Sequence, residues 1–211
     1  MVGLCFARKC SSQNPARHSE MTHSSAMDII EQKKEIRRRI RLLKPNLRNE
    51  DYMAFGRQLA QTLTDRDDVK AAGVIVAYWP LIDELNTGPI NKQCVKRGKR
   101  VYLPVIKGHD LVFKEFTGYK CLAREPRFGI LEPQGTAELD ICGSGDGVIM
   151  IAPGMAFTTE GARLGRGRGF YDRAFATLVK AKKIGVCYKC QVVQELPTEE
   201  HDAKMDSVVA I

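Results

Sequence analysis

At 211 residues the chain can build one sizeable hydrophobic core or at most two small domains. Hydrophobic residues at 44% and charged residues at 27% exclude a largely disordered protein, and no apolar run approaches the roughly 18 residues a membrane span needs. The net charge of +8 points toward a polyanionic partner, yet residues 1–48 hold 11 Lys and Arg against 4 Asp and Glu, leaving 22 and 21 elsewhere, so the surplus is amino-terminal. A phosphate-binding helix accounts for that placement as well as a nucleic-acid duplex would.

Residues 1–26 are polar, serine-rich and aperiodic, which reads as a disordered tail. A weak organelle presequence and a start of synthesis at Met27 are the alternatives. A folded domain is expected over 27–211. Asp28 and Glu31 suit a helix start, with carboxylates near the positive end of the dipole. Ile29, Ile36, Ile40 and Leu43 then share one face, with Lys33, Lys34, Arg37, Arg38 and Arg41 on the others and Pro45 as terminator. A second helix begins at Asn49 with Tyr52, Phe55, Leu59 and Leu63 inward.

GVIVAYW (73–79) has the β-branched, unbroken apolar character of a buried strand. Pro89 opens a helix that Gly98 closes. RVYLPV (100–105) and LVFKEF (111–116) read as strands joined by a turn near Gly108; 119–147 is loop-rich; VIMIAP (148–153) is another buried strand. A helix begins near Gly169 with Phe170, Ala174 and Leu178 aligned, and short strands at 184–188 and 206–210 follow. This alternation predicts a single-domain, three-layer α/β sandwich around a mostly parallel sheet, Rossmann-like but without the dinucleotide fingerprint. Ligands of such sheets collect at the carboxyl ends of the strands.

Seven cysteines at irregular spacing, including one Cys187-x-x-Cys190 with no second ligand pair, read as reduced structural thiols of a cytoplasmic protein. The composition of GARLGRGRGFYDRAF (161–175) calls for another explanation, because its glycines weaken regular structure and its arginines repel one another. It fits neither G-x-G-x-x-G nor a Walker loop, and it is too short for an RG-rich tail. Glycine amides beside Arg166 and Arg168, followed by a helix start, nevertheless suit a phosphate. Asp172 would then hold a divalent cation. A solvated surface turn with Asp172 paired to Arg173 is the competing reading.

Pro153-Gly154-Met155-Ala156-Phe157, Gly161 and Arg163-Leu164-Gly165-x-Gly167-x-Gly169-Phe170-Tyr171-Asp172-Arg173 closely resemble the signature of the 5-formyltetrahydrofolate cyclo-ligase family. Lys33-Lys34-x-x-Arg37, Tyr78-Trp79, Asp83-Glu84-x-x-Thr87, Gly98-Lys99-x-Val101-x-Leu103-Pro104, Gly129-Ile130-x-Glu132-Pro133, Leu196-Pro197 and His201-Asp202-x-x-x-Asp206 match in order, from about Met27 to the end. The resemblance implies one α/β domain. It also implies a reaction that uses ATP and Mg²⁺ to turn 5-formyltetrahydrofolate into 5,10-methenyltetrahydrofolate through a phosphorylated formyl group.

By the same resemblance, ATP would meet Lys33, Lys34, Arg37 and the run Gly165, Arg166, Gly167, Arg168, Gly169, Phe170, Tyr171. The folate would meet Trp79, Glu84, Arg166, Gly167, Arg168, Gly169 and Phe170. Arg166, Arg168 and Tyr171 would be catalytic, and Asp172 and Asp202 would hold Mg²⁺. The expected partners are small molecules, ATP and a reduced folate, with no nucleic acid and no membrane, and the expected state is a monomer. Arg168 stands where many members have lysine, and Phe170 where tyrosine is common. A nucleic-acid binder and a relative that binds without turnover are the rival readings.

Overall fold

The computed structural model of the chain describes residues 16–44, 46–126, 129–140, 147–200 and 202–211, with side chains in the first helix from Asp28. The elements in order are α1 (Ala16–Leu43), α2 (Asn49–Asp65), α3 (Asp67–Ala71), β1 (Val74–Val76), α4 (Gly88–Lys96), β2 (Arg100–Lys107) and β3 (Asp110–Glu115). They continue with β4 (Leu122–Arg124), β5 (Leu131–Pro133), β6 (Val148–Ala152), β7 (Ala156–Phe157), β8 (Arg163–Leu164), α5 (Phe170–Thr177), β9 (Lys182–Cys187) and β10 (Ser207–Ala210).

The main sheet runs β10-β9-β6-β1-β2-β3. Its first five strands are parallel, and β3 joins the edge antiparallel through the Gly108 turn. Both faces are covered, so the strand residues split between two cores by parity. Ile75 and Ala77 pack with Leu59, Leu63, Ile90 and Cys94 of α2 and α4. Val74 and Val76 pack with Ala174 and Phe175 of α5 and with Leu178 just past its end. That two-sided burial is why these strands show unbroken apolar runs rather than alternation.

Helix α1 joins neither layer: Ile40 packs against Met155, Ala156 and Leu164 of the β7–β8 hairpin, which follows the carboxyl end of β6. The helix begins at Ala16 rather than Asp28, so it passes without a break through the expected tail boundary. Residues 1–15, and Pro45 as the expected terminator, lie outside the described residues.

The strand read at 73–79 is shorter, Val74–Val76: Ala77 N still donates to Tyr102 O, but the Tyr78 carbonyl turns to the side chains of Thr87 and Asn91 instead of a strand. The loop-rich stretch contains the β4–β5 hairpin, and a second short hairpin, β7–β8, precedes the glycine-arginine loop. Ladders of two or three residues leave no period to detect. Among the described residues no helix is long and apolar enough to cross a membrane. Cys94, Cys121, Cys187 and Cys190 form no disulfide, and burial pushes the Cys94 thiol up to about 11 and Cys187 to about 12.

Candidate active site

Beyond β1 the chain is fixed by its own polar groups. The Tyr78 carbonyl accepts from Thr87 Oγ1 at 2.6 Å and Asn91 Nδ2 at 3.1 Å, while Tyr78 Oη donates to the Leu85 carbonyl at 3.0 Å. These bonds hold the 80–87 loop so that Glu84 folds inward, 7% exposed, with Oε2 accepting from Leu81 N at 3.0 Å. Burial pushes the Glu84 carboxyl up, against the pull of the Leu81 amide and Arg166. Trp79 forms a wall beside Glu84 and sits edge-on to Tyr119 at 5.5 Å, so it serves the core and the cavity together.

The glycine-arginine loop follows β8 and meets the 80–87 loop. Gly167 (φ 95°) and Gly169 (φ 67°) take left-handed conformations that a residue with a Cβ resists, and Gly169 stands as the N-cap of α5. Arg37 Nε donates to Gly165 O at 2.8 Å, tying the loop to α1. Arg166 then reaches across: its Nε lies 3.2 Å from Glu84 Oε1, and its Nη2 bonds Asp83 Oδ1. The competing surface-turn reading paired Asp172 with Arg173. Instead, Arg173 bonds Asp110 at 2.9 Å, and Asp172 accepts from Arg163 Nη2 at 2.8 Å.

Between the two loops lies a cavity of about 400 Å³, at the carboxyl ends of β1 and β6 where the strand order reverses. Trp79, Glu84, Arg166, Arg168, Tyr171 and Asp172 line it, along with Gly165, Gly167, Gly169 and Phe170. Burial raises the Tyr171 hydroxyl well above its ordinary pKa, which leaves it a neutral donor.

The amino-terminal cations divide. Lys33 and Arg37, four residues apart, face inward; Lys34 is 73% exposed and pairs with Glu31, away from the cavity. Lys33 Nζ lies 2.7 Å from both Glu199 Oε2 and Asp202 Oδ2. Burial disfavours its charge, but those two hydrogen bonds outweigh it and raise the pKa. Asp202 therefore sits beside Lys33 and outside the cavity lining, while Asp172 is in it. Burial, and then the neighbouring Arg41, pull the Arg37 pKa down against the opposing field of Asp202 and Asp172.

Among the described residues no three His, Cys, Asp or Glu gather as a metal cage. Mg²⁺ does not need such a cage, since it keeps several waters and takes one or two carboxylates together with substrate phosphates. Asp172 offers such a carboxylate at the cavity.

Sequence reasoning passed over Arg163, Lys44 and Asp83 as site residues. Arg163 is 7% exposed and its guanidinium lies against Tyr171 at 5.6 Å and Phe175 at 5.2 Å. Its place inside the quoted signature was the available signal.

A profile of the 5-formyltetrahydrofolate cyclo-ligase family matches residues 29–211. The chain is 31% identical over 185 residues to the 5-formyltetrahydrofolate cyclo-ligase of Escherichia coli (strain K12), covering 82% of this chain and 95% of that one. It is 25% identical to the 5-formyltetrahydrofolate cyclo-ligase of Mus musculus, covering 83% and 89%. Among solved structures it resembles the 5,10-methenyltetrahydrofolate synthetase of Aquifex aeolicus, with a TM-score of 0.72 and 28% identity over 84% of this chain and 89% of that one. The synthetase from Mycoplasma pneumoniae shares the fold, with a TM-score of 0.64 at 18% identity over 83% and 96%. With the signature loop closing a cavity at the sheet's switch point, the chain belongs to the 5-formyltetrahydrofolate cyclo-ligase family.

Proposed function

We propose that the chain converts 5-formyltetrahydrofolate into 5,10-methenyltetrahydrofolate at this cavity, with ATP as co-substrate. The formyl oxygen attacks the γ-phosphorus, an O–P bond forms and ADP leaves. N10 of the folate then attacks the activated formyl carbon and loses its proton, the ring closes, and inorganic phosphate departs. Such a sequence asks the protein for alignment and charge neutralisation rather than for a side-chain nucleophile. Glu84 accepts hydrogen bonds from the pterin N–H edge, and Trp79 and Phe170 flank the ring. Arg166, Arg168 and the 165–169 amides neutralise the transferring phosphoryl group. Arg37 and Lys33 favour the remaining phosphates, with Lys34 on the outer face of the same helix. Tyr171 donates a hydrogen bond toward the formyl oxygen. Asp172 would hold Mg²⁺, which supplies charge neutralisation on the phosphates when bound.

The observation that carries this reading is the 3.2 Å contact between Arg166 and Glu84. It brings the glycine-arginine loop and Glu84, 82 residues apart in sequence, against the same space, which supports one site for phosphate and pterin. A nucleic-acid reading finds no support in it, because Glu84 is buried and the Arg166 charge is met within the protein by Glu84 and Asp83.

The test is to mix the protein with 5-formyltetrahydrofolate, ATP and Mg²⁺ and follow the methenyl absorbance. Turnover is expected from the native chain, and about a hundredfold less from Arg166→Ala and from Asp172→Asn. Asparagine is chosen because it keeps an acceptor for Arg163. A native trace as flat as the blank without enzyme would reject the reading.

A further inference from the structure

Lys33, Arg37, Ile40 and Lys44 form one stripe along the inner side of α1 and its end, at spacings of four, three and four residues. Three of the four are cations, and each of those three reaches a different segment of the cavity's surroundings. Lys33 holds the 199–202 segment, Arg37 holds the carbonyl of Gly165, and Lys44 holds the loop that carries Glu84. The Lys44 side chain is only 6% exposed. Its Nζ donates to Asp83 O at 2.7 Å and to Asp83 Oδ2 at 3.1 Å. The backbone beneath it is firm, since Lys44 N donates to Ile40 O at 3.0 Å and continues the helical ladder one residue past Leu43. Ile40 itself is fully buried in the hairpin that precedes the glycine-arginine loop.

Asp83 is thus gripped from two sides. Its Oδ2 takes Lys44 from α1, its Oδ1 takes Arg166 from the glycine-arginine loop, and the next residue is Glu84, whose Oε1 takes Arg166 Nε. A lysine this enclosed is costly to keep charged unless both its charge and its donors are met. Asp83 meets them, and no other residue bridges α1 to the 80–84 loop through a hydrogen bond among the described residues. Arg37 and Lys44 lie two helical turns apart, roughly 10.5 Å along the axis. One rigid element therefore grips both loops that form the cavity.

We infer that Lys44 is a positioning residue for the folate side of the site: through Asp83 it fixes where Glu84 stands, without touching substrate itself. The inference rests on the function proposed above. In its absence the 80–84 loop loses its tie to α1 and Glu84 no longer holds the register that the pterin edge requires, while Arg166 stays on the glycine-arginine loop that Arg37 ties to α1. Nucleotide contacts on Arg37 and the 165–169 amides are left in place. Folate affinity should suffer while ATP affinity does not.

Two readouts test this on the full chain: steady-state kinetics with 5-formyltetrahydrofolate and ATP varied separately, and quenching of the sole tryptophan, Trp79, during titration with 5-formyltetrahydrofolate. Lys44→Met is expected to raise KM and Kd for the folate about tenfold while kcat and KM for ATP stay within about twofold. Lys44→Arg, which keeps charge and donors, should return to within about threefold of native, and Lys44→Gln should fall between. In an Asp83→Ala background the effect of Lys44→Met should be clearly smaller than in the native chain, because the carboxylate is gone and only the bond to the backbone carbonyl at 83 remains to be lost. Should Lys44→Met fail to fold, the Gln and Arg variants are read on the same scale. Unchanged folate constants, an equal fall in every kinetic constant, or an undiminished effect in the Asp83→Ala background would each overturn the inference. A native protein that neither turns over nor binds the folate would remove the functional reading beneath it. A native protein that does both, with Lys44→Met matching it, would remove Lys44 alone.

Discussion

Arg163 carries its charge where only 3% of its side chain meets solvent. Nη1 donates to Pro153 O at 3.1 Å and Nη2 to Asp172 at 2.8 Å, two aromatic rings take its face, and its Nε has no hydrogen-bond partner among the described residues. A buried guanidinium in such a setting is held by its carboxylate, and the pair is worth most when considered as a unit. Arg163→Met should therefore cost about 2–4 kcal/mol, since it strips Asp172 of its cation and Pro153 of its donor. Adding Asp172→Asn to that variant should cost clearly less than the sum of the two single changes, because the second change removes a charge already left without its partner. Urea denaturation of the four proteins gives the cycle, and strict additivity would show the two groups to be independent. The residue is a case where the sequence carried the signal without its meaning. Arginine between Ala162 and Leu164 in a two-residue strand reads as a surface strand position, and nothing local announces that Asp172, nine positions on, turns back to meet it.

At the scale of the element, α1 shows what amphipathic periodicity can and cannot decide. The apolar set Ile29, Ile36, Ile40 and Leu43 located the helix and its inward side, and Ile40 is fully buried as that pattern requires. Leu43, however, is 54% exposed, while Lys33, placed by the pattern on a polar face, is 8% exposed. The reason is long-range: Lys33 is drawn in by Glu199 and Asp202, carboxylates 166 and 169 residues away that no window of sequence around the helix contains. The same geometry separates two neighbouring lysines that composition treats alike. Residues 33 and 37 share a face, whereas 34 is turned by about 100° and pairs with Glu31 on the surface. An exposed pair of that kind contributes little. Lys34→Ala should leave kcat and KM for ATP within about twofold of native. Arg37→Ala, which frees the Gly165 carbonyl and the loop behind it, should raise KM for ATP by about tenfold or more. Titrating ATP against the two variants decides this, and equal effects would mean that the outward cation also reaches the nucleotide.

Over the whole molecule, the parallel order was legible because buried strands advertise themselves by β-branched runs and helices by their caps. The site was legible because its glycines and arginines have no good use in a plain turn. Pairings between distant segments were not, and the far edge of the sheet depends on one of them. Asp68 of α3 accepts from Arg66 Nη2 at 2.7 Å and pairs with Lys182 of β9 at 2.8 Å, and Arg66 reaches Ser207 of β10 at 3.2 Å. This cluster fastens a short helix to two strands that the chain reaches only after another hundred residues. Arg66's hydrogen bond, joined by Lys182, holds the Asp68 carboxyl well below its usual range even though burial works the other way. A carboxylate depressed in the folded state binds its proton more weakly there than in the unfolded chain. Its contribution is therefore complete above the unfolded value of 3.8 and drains away as pH falls further. Asp68→Asn should melt below the native protein at pH 7, by about 1–2 kcal/mol for a partly buried charged contact, and the gap should narrow from pH 4 downward. Thermal melts of both proteins across that range read the difference directly. A deficit of the same size at pH 7 and at pH 3 would assign the loss to packing or to the neutral hydrogen bond, and would free the edge strands from any dependence on this charge.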